Sequence, residues 1–169
     1  MARAPRRIVT GHDAQGKSIV VIDGPPTAFG AYWFTDSAPV DNSHSGDAAE
    51  PVRKLEPPLG GSIFRFAVIP PEDSSVSPEE RERRTAKMFA QMEASHCRVD
   101  TSRHPAMHKT RTIDYVVLLA GEVTLILDKS EVDLKPFDVV VQRGTNHAWA
   151  NKGKEPALIA AVLIDAKDV

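Results

Sequence analysis

A chain of 169 residues and 18.4 kDa has the length of one domain, and at that length roughly 70% of the unfolded surface is buried without a disulfide staple. Hydrophobic residues at 41% and charged residues at 26% exclude wholesale disorder, while a net charge of −2 and a pI near 6.3 exclude a strongly basic, phosphate-neutralising body; no nucleic-acid partner is expected. A single cysteine, Cys97, excludes an intrachain disulfide and any Cys-rich zinc module.

The basic start, Met1 to Arg7, is followed only by Ile8-Val9, so no signal-peptide core is expected there. Arg6–Thr10 and Ser18–Asp23 read as two strands of a hairpin around His12–Lys17. Ala31–Thr35, with Tyr32, Trp33 and Phe34 in a row, reads as a third strand. Ser37 to Gly61 is rich in Pro, Ser, Asp and Gly, lacks periodicity, and reads as a mobile flap that partly covers a pocket. Ile63–Ile69 alternates, with Phe64, Phe66 and Val68 on one face and Arg65 and Ala67 on the other.

One helix is expected at 78–95. Ser77 caps it, Pro78 suits its first position, Glu80 completes a capping box, and Glu79–Arg83 and Glu80–Arg84 are favourable pairs. Its thin apolar stripe, Ala86, Met88, Phe89 and Met92, is read as packing.

From Ile113 the pattern is all strand: Ile113–Leu119, Val123–Leu127, Phe137–Val141, His147–Ala150 and Ala157–Ile164, joined by short turns. Ala157–Ile164 is also the longest apolar run, and it is far too short to span a bilayer, so the expectation is a soluble cytoplasmic protein without a membrane partner. Short strands with short turns predict an antiparallel meander whose edges close into a small barrel.

Two stretches carry the chemistry. His108, Thr110, Thr112, Asp114, Val116 and Leu118 share parity in extended chain, giving a polar mouth above an apolar floor. His147, Trp149 and Asn151 share parity in the second stretch. These residues resemble the cupin family. Its first motif, G-x5-H-x-H-x3–4-E-x6-G, is matched by His108, by Thr110 in place of the second histidine, by Asp114 in place of the glutamate, and by Gly121. Its second, G-x5-P-x-G-x2-H-x3-N, is matched by Gly144, His147 and Asn151, with Pro136 and Gln142 at the leading Gly and the Pro. The HKTRTIDY and VQRGTNHAW segments are similar to small cupins found beside aromatic-polyketide and aromatic-compound pathways.

The resemblance implies an all-β antiparallel double-stranded β-helix, the jelly-roll or cupin barrel, with the one helix inserted. It also implies a single domain over 1–169, a barrel core at about 104–164, and strands 6–69 and helix 78–95 flanking it. It further implies a divalent ion, iron, manganese, nickel or zinc. With Thr110 a poor ligand, His108, Asp114 and His147 remain as a two-His-one-carboxylate set. His104, before Pro105, is the candidate replacement for the missing ligand, and His12, His44, His96 and His104 are otherwise read as surface residues.

His147 and Asp114 are the candidate catalytic pair. Trp149, Thr110 and Arg65 are the candidate substrate contacts, Arg65 either reaching solvent or holding an acidic ligand. Cys97 reads as an inert small side chain. Three functions stay open: a metal-dependent dioxygenase, decarboxylase or isomerase acting on a small aromatic or polyketide-like carbonyl compound; a metal-free His/Asp acid–base isomerase; and a non-catalytic small-molecule sensor. The outward apolar parity of Ile113, Tyr115, Val117 and Leu119 predicts a homodimer.

Overall fold

The structure, a computed structural model, describes residues 6–25, 27, 30–43, 46–49 and 54–167. Two elements lie apart from the main sheets. Strands β1 (Arg7–His12) and β2 (Ser18–Gly24) form an antiparallel hairpin with a register shift at Val9/Thr10. The hairpin is tied to the body by buried Arg7, which donates to Asp47 Oδ1 at 2.7 Å and to the Tyr32 carbonyl at 3.4 Å. Helix α1 (Pro78–Gln91) is capped by Ser77, whose hydroxyl accepts from the Glu80 N–H.

The Glu80 carboxylate does not reach back to complete the expected capping box. It binds Arg83 and Arg84 instead. The helix also stops short of the expected 95. Glu93 takes φ 53°, its N–H reaches the Ala90 carbonyl, and the Ala94 N–H reaches the Phe89 carbonyl at 2.8 Å, which is the Schellman termination. Buried Ala94 then packs against buried Phe89, sealing the end. A single 3₁₀ turn, Ser95–Cys97, follows.

The body holds two sheets. The first has the order β3 (Ala31–Thr35), β4 (Ser62–Ile69), β10 (Ala157–Asp165), β5 (Thr112–Ala120), β8 (Val139–Arg143). The second has the order β7 (Glu131–Leu134), β6 (Val123–Leu127), β9 (His147–Ala150). All of these pairings are antiparallel. Burial alternates residue by residue along β5 and β10, so Val116, Leu118, Ile159 and Leu163 point inward. They meet Val123 and Leu125 of β6 and Leu134 of β7, and this face-to-face core is what joins the sheets.

The expected closed barrel does not form. The five-stranded sheet ends on β3 and β8 and the three-stranded sheet on β7 and β9, and among the described residues no ladder runs from one sheet to the other. The reason lies in the connections. The chain between β7 and β8 is a tight turn, with Asp138 N–H on the Lys135 carbonyl and Phe137 at φ 76°. The chain between β8 and β9 turns on Gly144 at φ 57°. In the first turn the Phe137 N–H donates to the Leu118 carbonyl and the Asp138 carbonyl accepts from the Leu118 N–H, so these backbone groups extend the β5 side of the five-stranded sheet instead of bridging the two sheets. The first turn also shifts β8, expected at Phe137–Val141, two residues toward the C-terminus. Gly121 holds a third turn at φ 78°, where a Cβ would come within 2.7 Å of Ala157 Cα, so this motif glycine is fixed by close approach.

Candidate functional site

The histidine pair is built by backbone geometry. His108 and His147 exchange two hydrogen bonds, each N–H to the other's carbonyl at 2.9 Å, as an isolated antiparallel bridge beyond β9. Directly opposed residues of such a pair place their side chains on the same face. The imidazole centroids accordingly stand 4.3 Å apart. Phe89 of α1 lies 5.1 Å from the His108 ring, and Trp149 stands edge-on 5.5 Å from the His147 ring.

Both rings are set in the same tautomer. Nδ1 of His108 donates to the Ala106 carbonyl at 2.9 Å, and Nδ1 of His147 donates to the Thr145 carbonyl at 2.9 Å. A carbonyl only accepts, so each neutral ring carries its proton on Nδ1 and keeps a lone pair on Nε2. Among the described residues no hydrogen bond engages either Nε2. Burial keeps both rings neutral: His147 is pushed down to about 3, helped by the neighbouring His108, and His108 is lowered as well.

The rings line a cavity of about 470 Å³. Its walls are apolar, from Leu55, Met88, Phe89, Met92, Trp149 and the inward residues of β5 and β10. Asp114 and Arg65 also line it. Asp114 is inward on β5 and buried, its Oδ1 has no hydrogen-bond partner, and burial pushes its carboxyl up to about 6 against the pull of Thr112 and Arg65. Arg65 lies on the inward face of β4, opposite Ala161 of β10. One terminal nitrogen donates to the Lys54 carbonyl at 2.5 Å and Nε is buried without a partner. The Phe64–Phe66 face of β4 turns away, where Tyr32 stacks on Phe66 at 4.4 Å.

The expected residues are thus distributed unevenly. His108, His147, Asp114, Trp149 and Arg65 line one cavity, and Thr110 does not. Thr110 is buried beside Thr112, hydroxyl to hydroxyl at 2.7 Å, just ahead of the start of β5 at Thr112. The diversion has visible causes: Lys109 N–H bonds the Cys97 carbonyl and Arg111 N–H bonds Glu56. His104 lies at the cavity lining but is occupied, with Nε2 2.6 Å from Glu72 and Nδ1 accepting from Ala106 N–H. Asn151 is a brace: its amide donates to the carbonyls of Ile69 and Glu155 at 2.9 Å, joining the end of β4 to the turn before β10.

Among the described residues of the expected flap, Leu55 reaches the cavity; residues 44–45 and 50–53 of that segment lie outside the described residues. Met88, Phe89 and Met92 of the helix stripe, read as packing from sequence, supply the opposite wall, and no sequence signal distinguished the two roles.

The histidine pair suits a divalent ion, since two Nε2 lone pairs backed by Nδ1–carbonyl bonds are what an imidazole ligand needs. Asp114, with its orphaned oxygen, supplies a carboxylate on the same cavity. It stands off, however: among the described residues the group whose ligand atoms all lie within 4.8 Å of one another is Glu56, His96 and Cys97, outside this cavity, and that group could hold a metal. The Cys97 thiol there is buried and pushed up to about 12 by burial and by Glu56, so without a metal it rests as the thiol. Among the described residues no helix is long and apolar enough to cross a membrane.

Residues 96–163 match the family described as "Cupin domain". A protein of Diaporthe leptostromiformis, "Phomopsin biosynthesis cluster protein C'", is 31% identical over 99% of this chain and 82% of its own length. The "Cupin-domain-containing oxidoreductase virC" of Hypocrea virens is 26% identical over 96% of this chain and 77% of its own. A solved cupin 2 conserved barrel domain protein from Salinispora arenicola superposes with a TM-score of 0.40 at 18% identity, covering 62% of this chain and 64% of that one. On the family match and the near full-length relative, the chain belongs to the cupin family, and it is related to fungal biosynthesis-cluster proteins and to cupin oxidoreductases.

Proposed function

We propose that this cupin is an enzyme acting on a small aromatic or polyketide-like compound bearing a carbonyl, enol or phenol oxygen, with a divalent ion held by Nε2 of His108 and Nε2 of His147. The observation that carries the reading is the matched tautomer: two imidazoles, that of His147 buried and that of His108 partly so, each pinned through Nδ1, present free lone pairs to one apolar cavity. An ion bound there supplies Lewis acidity to a substrate oxygen. The rest is the work of the chain. Trp149 and Phe89 flank the rings and offer flat apolar faces to an aromatic body. Leu55, Met88 and Met92 exclude water from it. Arg65, with Nε unpartnered, orients an anionic or carbonyl oxygen at the polar end. Relatives named as oxidoreductases and as members of biosynthesis clusters favour an enzymatic reading over a sensor.

A second reading rests on Asp114, whose carboxyl at about 6 sits where a proton-transfer group works near neutral pH. His147 is a poor partner in that role, because an imidazole held near 3 does not take up a proton at pH 7. The experiment is metal analysis and metal affinity of the intact protein and of His108→Ala, His147→Ala, His104→Ala and Asp114→Asn, each checked for folding. Loss of binding by at least about tenfold in the first two, with His104→Ala unchanged, supports the metal reading. Wild-type affinity in both His108→Ala and His147→Ala overturns it. Asp114→Asn then sorts the carboxylate: lost metal marks a ligand, and retained metal with an altered pH–rate profile marks a proton carrier.

A further inference from the structure

Away from the cavity, Glu56, His96 and Cys97 converge from two segments 40 residues apart. His96 Nε2 lies 2.7 Å from Glu56 Oε2 and 3.5 Å from Cys97 Sγ. Three donors of different softness, carboxylate, imidazole and thiol, are thus gathered around one point. Their backing is fixed. The other Glu56 oxygen accepts the Arg111 N–H at 3.0 Å, and the Cys97 carbonyl accepts the Lys109 N–H at 2.8 Å. Such outer contacts orient metal ligands. Glu56 and His96 open on a cleft of about 600 Å³ that Lys109, Arg111 and Asp165 also line, with Cys97 buried behind them.

We propose that Glu56 Oε2, His96 Nε2 and Cys97 Sγ form a second metal site, for a thiophilic divalent cation of the zinc type, with the fourth position open to the cleft. Sulfur and imidazole select such an ion over magnesium or calcium. On binding, the S–H bond of Cys97 breaks, its electron pair becomes the sulfur–metal bond, and the proton leaves to solvent; His96, whose Nε2–H donates to the Glu56 carboxylate in the free protein, loses that proton to solvent and takes one up on Nδ1, so the Nε2 lone pair becomes the nitrogen–metal bond. The ion enters between Glu56 and His96 and replaces their hydrogen bond. Thiolate and carboxylate together balance its charge, and with Arg111 of the cleft paired to Asp165 at 3.0 Å, water is the expected fourth ligand. The site would tie the segment carrying Leu55, which walls the main cavity, to the turn that follows α1.

The test is Co²⁺ titration of the full chain, read by absorption and followed by Zn²⁺ competition. Cys97 is the chain's one cysteine, so a thiolate-to-metal charge-transfer band reports this site alone. The expected result is such a band at one equivalent, displaced by Zn²⁺. It should persist in His147→Ala and weaken in affinity by about tenfold or more in both His96→Ala and Glu56→Gln. His96 is exposed and Glu56 only part-buried, so both variants are expected to fold. Absence of the band in the wild-type chain, its loss in His147→Ala, or a smaller change in either ligand variant overturns the proposal. Because the readout is sulfur–metal absorption, a failure of the cavity reading leaves it standing, and the reverse.

Discussion

Asp114 is held at a cost to the fold. Its carboxyl ionises at about 6 in the buried site, against 3.8 when solvated. Below about pH 4 both folded and unfolded chains carry it protonated, and it has no linkage effect. Between the two values the unfolded chain ionises first, so stability falls as pH rises, and above about 6 the whole penalty, about 3 kcal/mol, is present. Asp114→Asn is therefore expected to stabilise the metal-free protein by about 1–3 kcal/mol near pH 8, and hardly at all near pH 4, in urea unfolding. Equal effects at both pH values would show that Asp114 is not the strained group. His147 acts in the opposite direction. Its folded value near 3 lies below the ordinary 6.5, so the stability it contributes is present above about 6.5 and drains away as pH falls toward 3. Acid unfolding of the metal-free chain should be less steep in His147→Gln than in the wild type.

Among the elements, α1 shows how local signals set boundaries and where they mislead. Ser77 caps the helix as its sequence position implies, and Ser77→Ala is expected to cost about 1 kcal/mol in thermal unfolding. At the other end Glu93 sits at φ 53° in a conformation that glycine adopts freely, so Glu93→Gly is expected to be neutral or to stabilise by up to about 1 kcal/mol. A clear loss would mean that the Lys54–Glu93 pair, 2.9 Å apart at the surface, matters more than the backbone. That terminus was not legible in the chain because no glycine marks it. Strand β7 was equally hidden, its four residues carrying only Val132 and Leu134 between charges. By contrast β5 and β10 were plain, because each alternates over nine residues with one face in the core. The candidate site was legible to the same degree. Asp114 falls where strand parity puts it, whereas His108 is fixed at the cavity by a backbone bridge to His147 that no sequence pattern marks, and Thr110 stops short of the cavity with its hydroxyl on Thr112.

At the scale of the molecule the open sheets leave an unfinished surface. The outer face of the five-stranded sheet exposes Tyr115 on β5 at 48%, and Val139 and Val141 on β8 at 64% and 54%. Tyr115 and Val141 are direct neighbours across the β5–β8 ladder, so they form one patch rather than scattered residues. Strand β8 is also an edge, with its outer row of backbone groups unladdered in the sheet. An apolar patch beside a free edge is the kind of surface that a second copy covers, and a twofold arrangement lets the patch meet itself. The expected state in solution is a homodimer through this face. Val141→Lys places a charge at the centre of the patch on a side chain already exposed, so it should spare the fold of the protomer. Light scattering at micromolar concentration is expected to give a dimer mass for the wild type and a monomer mass for Val141→Lys, with unchanged far-ultraviolet circular dichroism in the variant. A monomeric wild type rules the dimer out. A variant that remains dimeric places the interface elsewhere, and the exposed Ile19, Val20 and Val21 of the β1–β2 hairpin are then the next surface to charge.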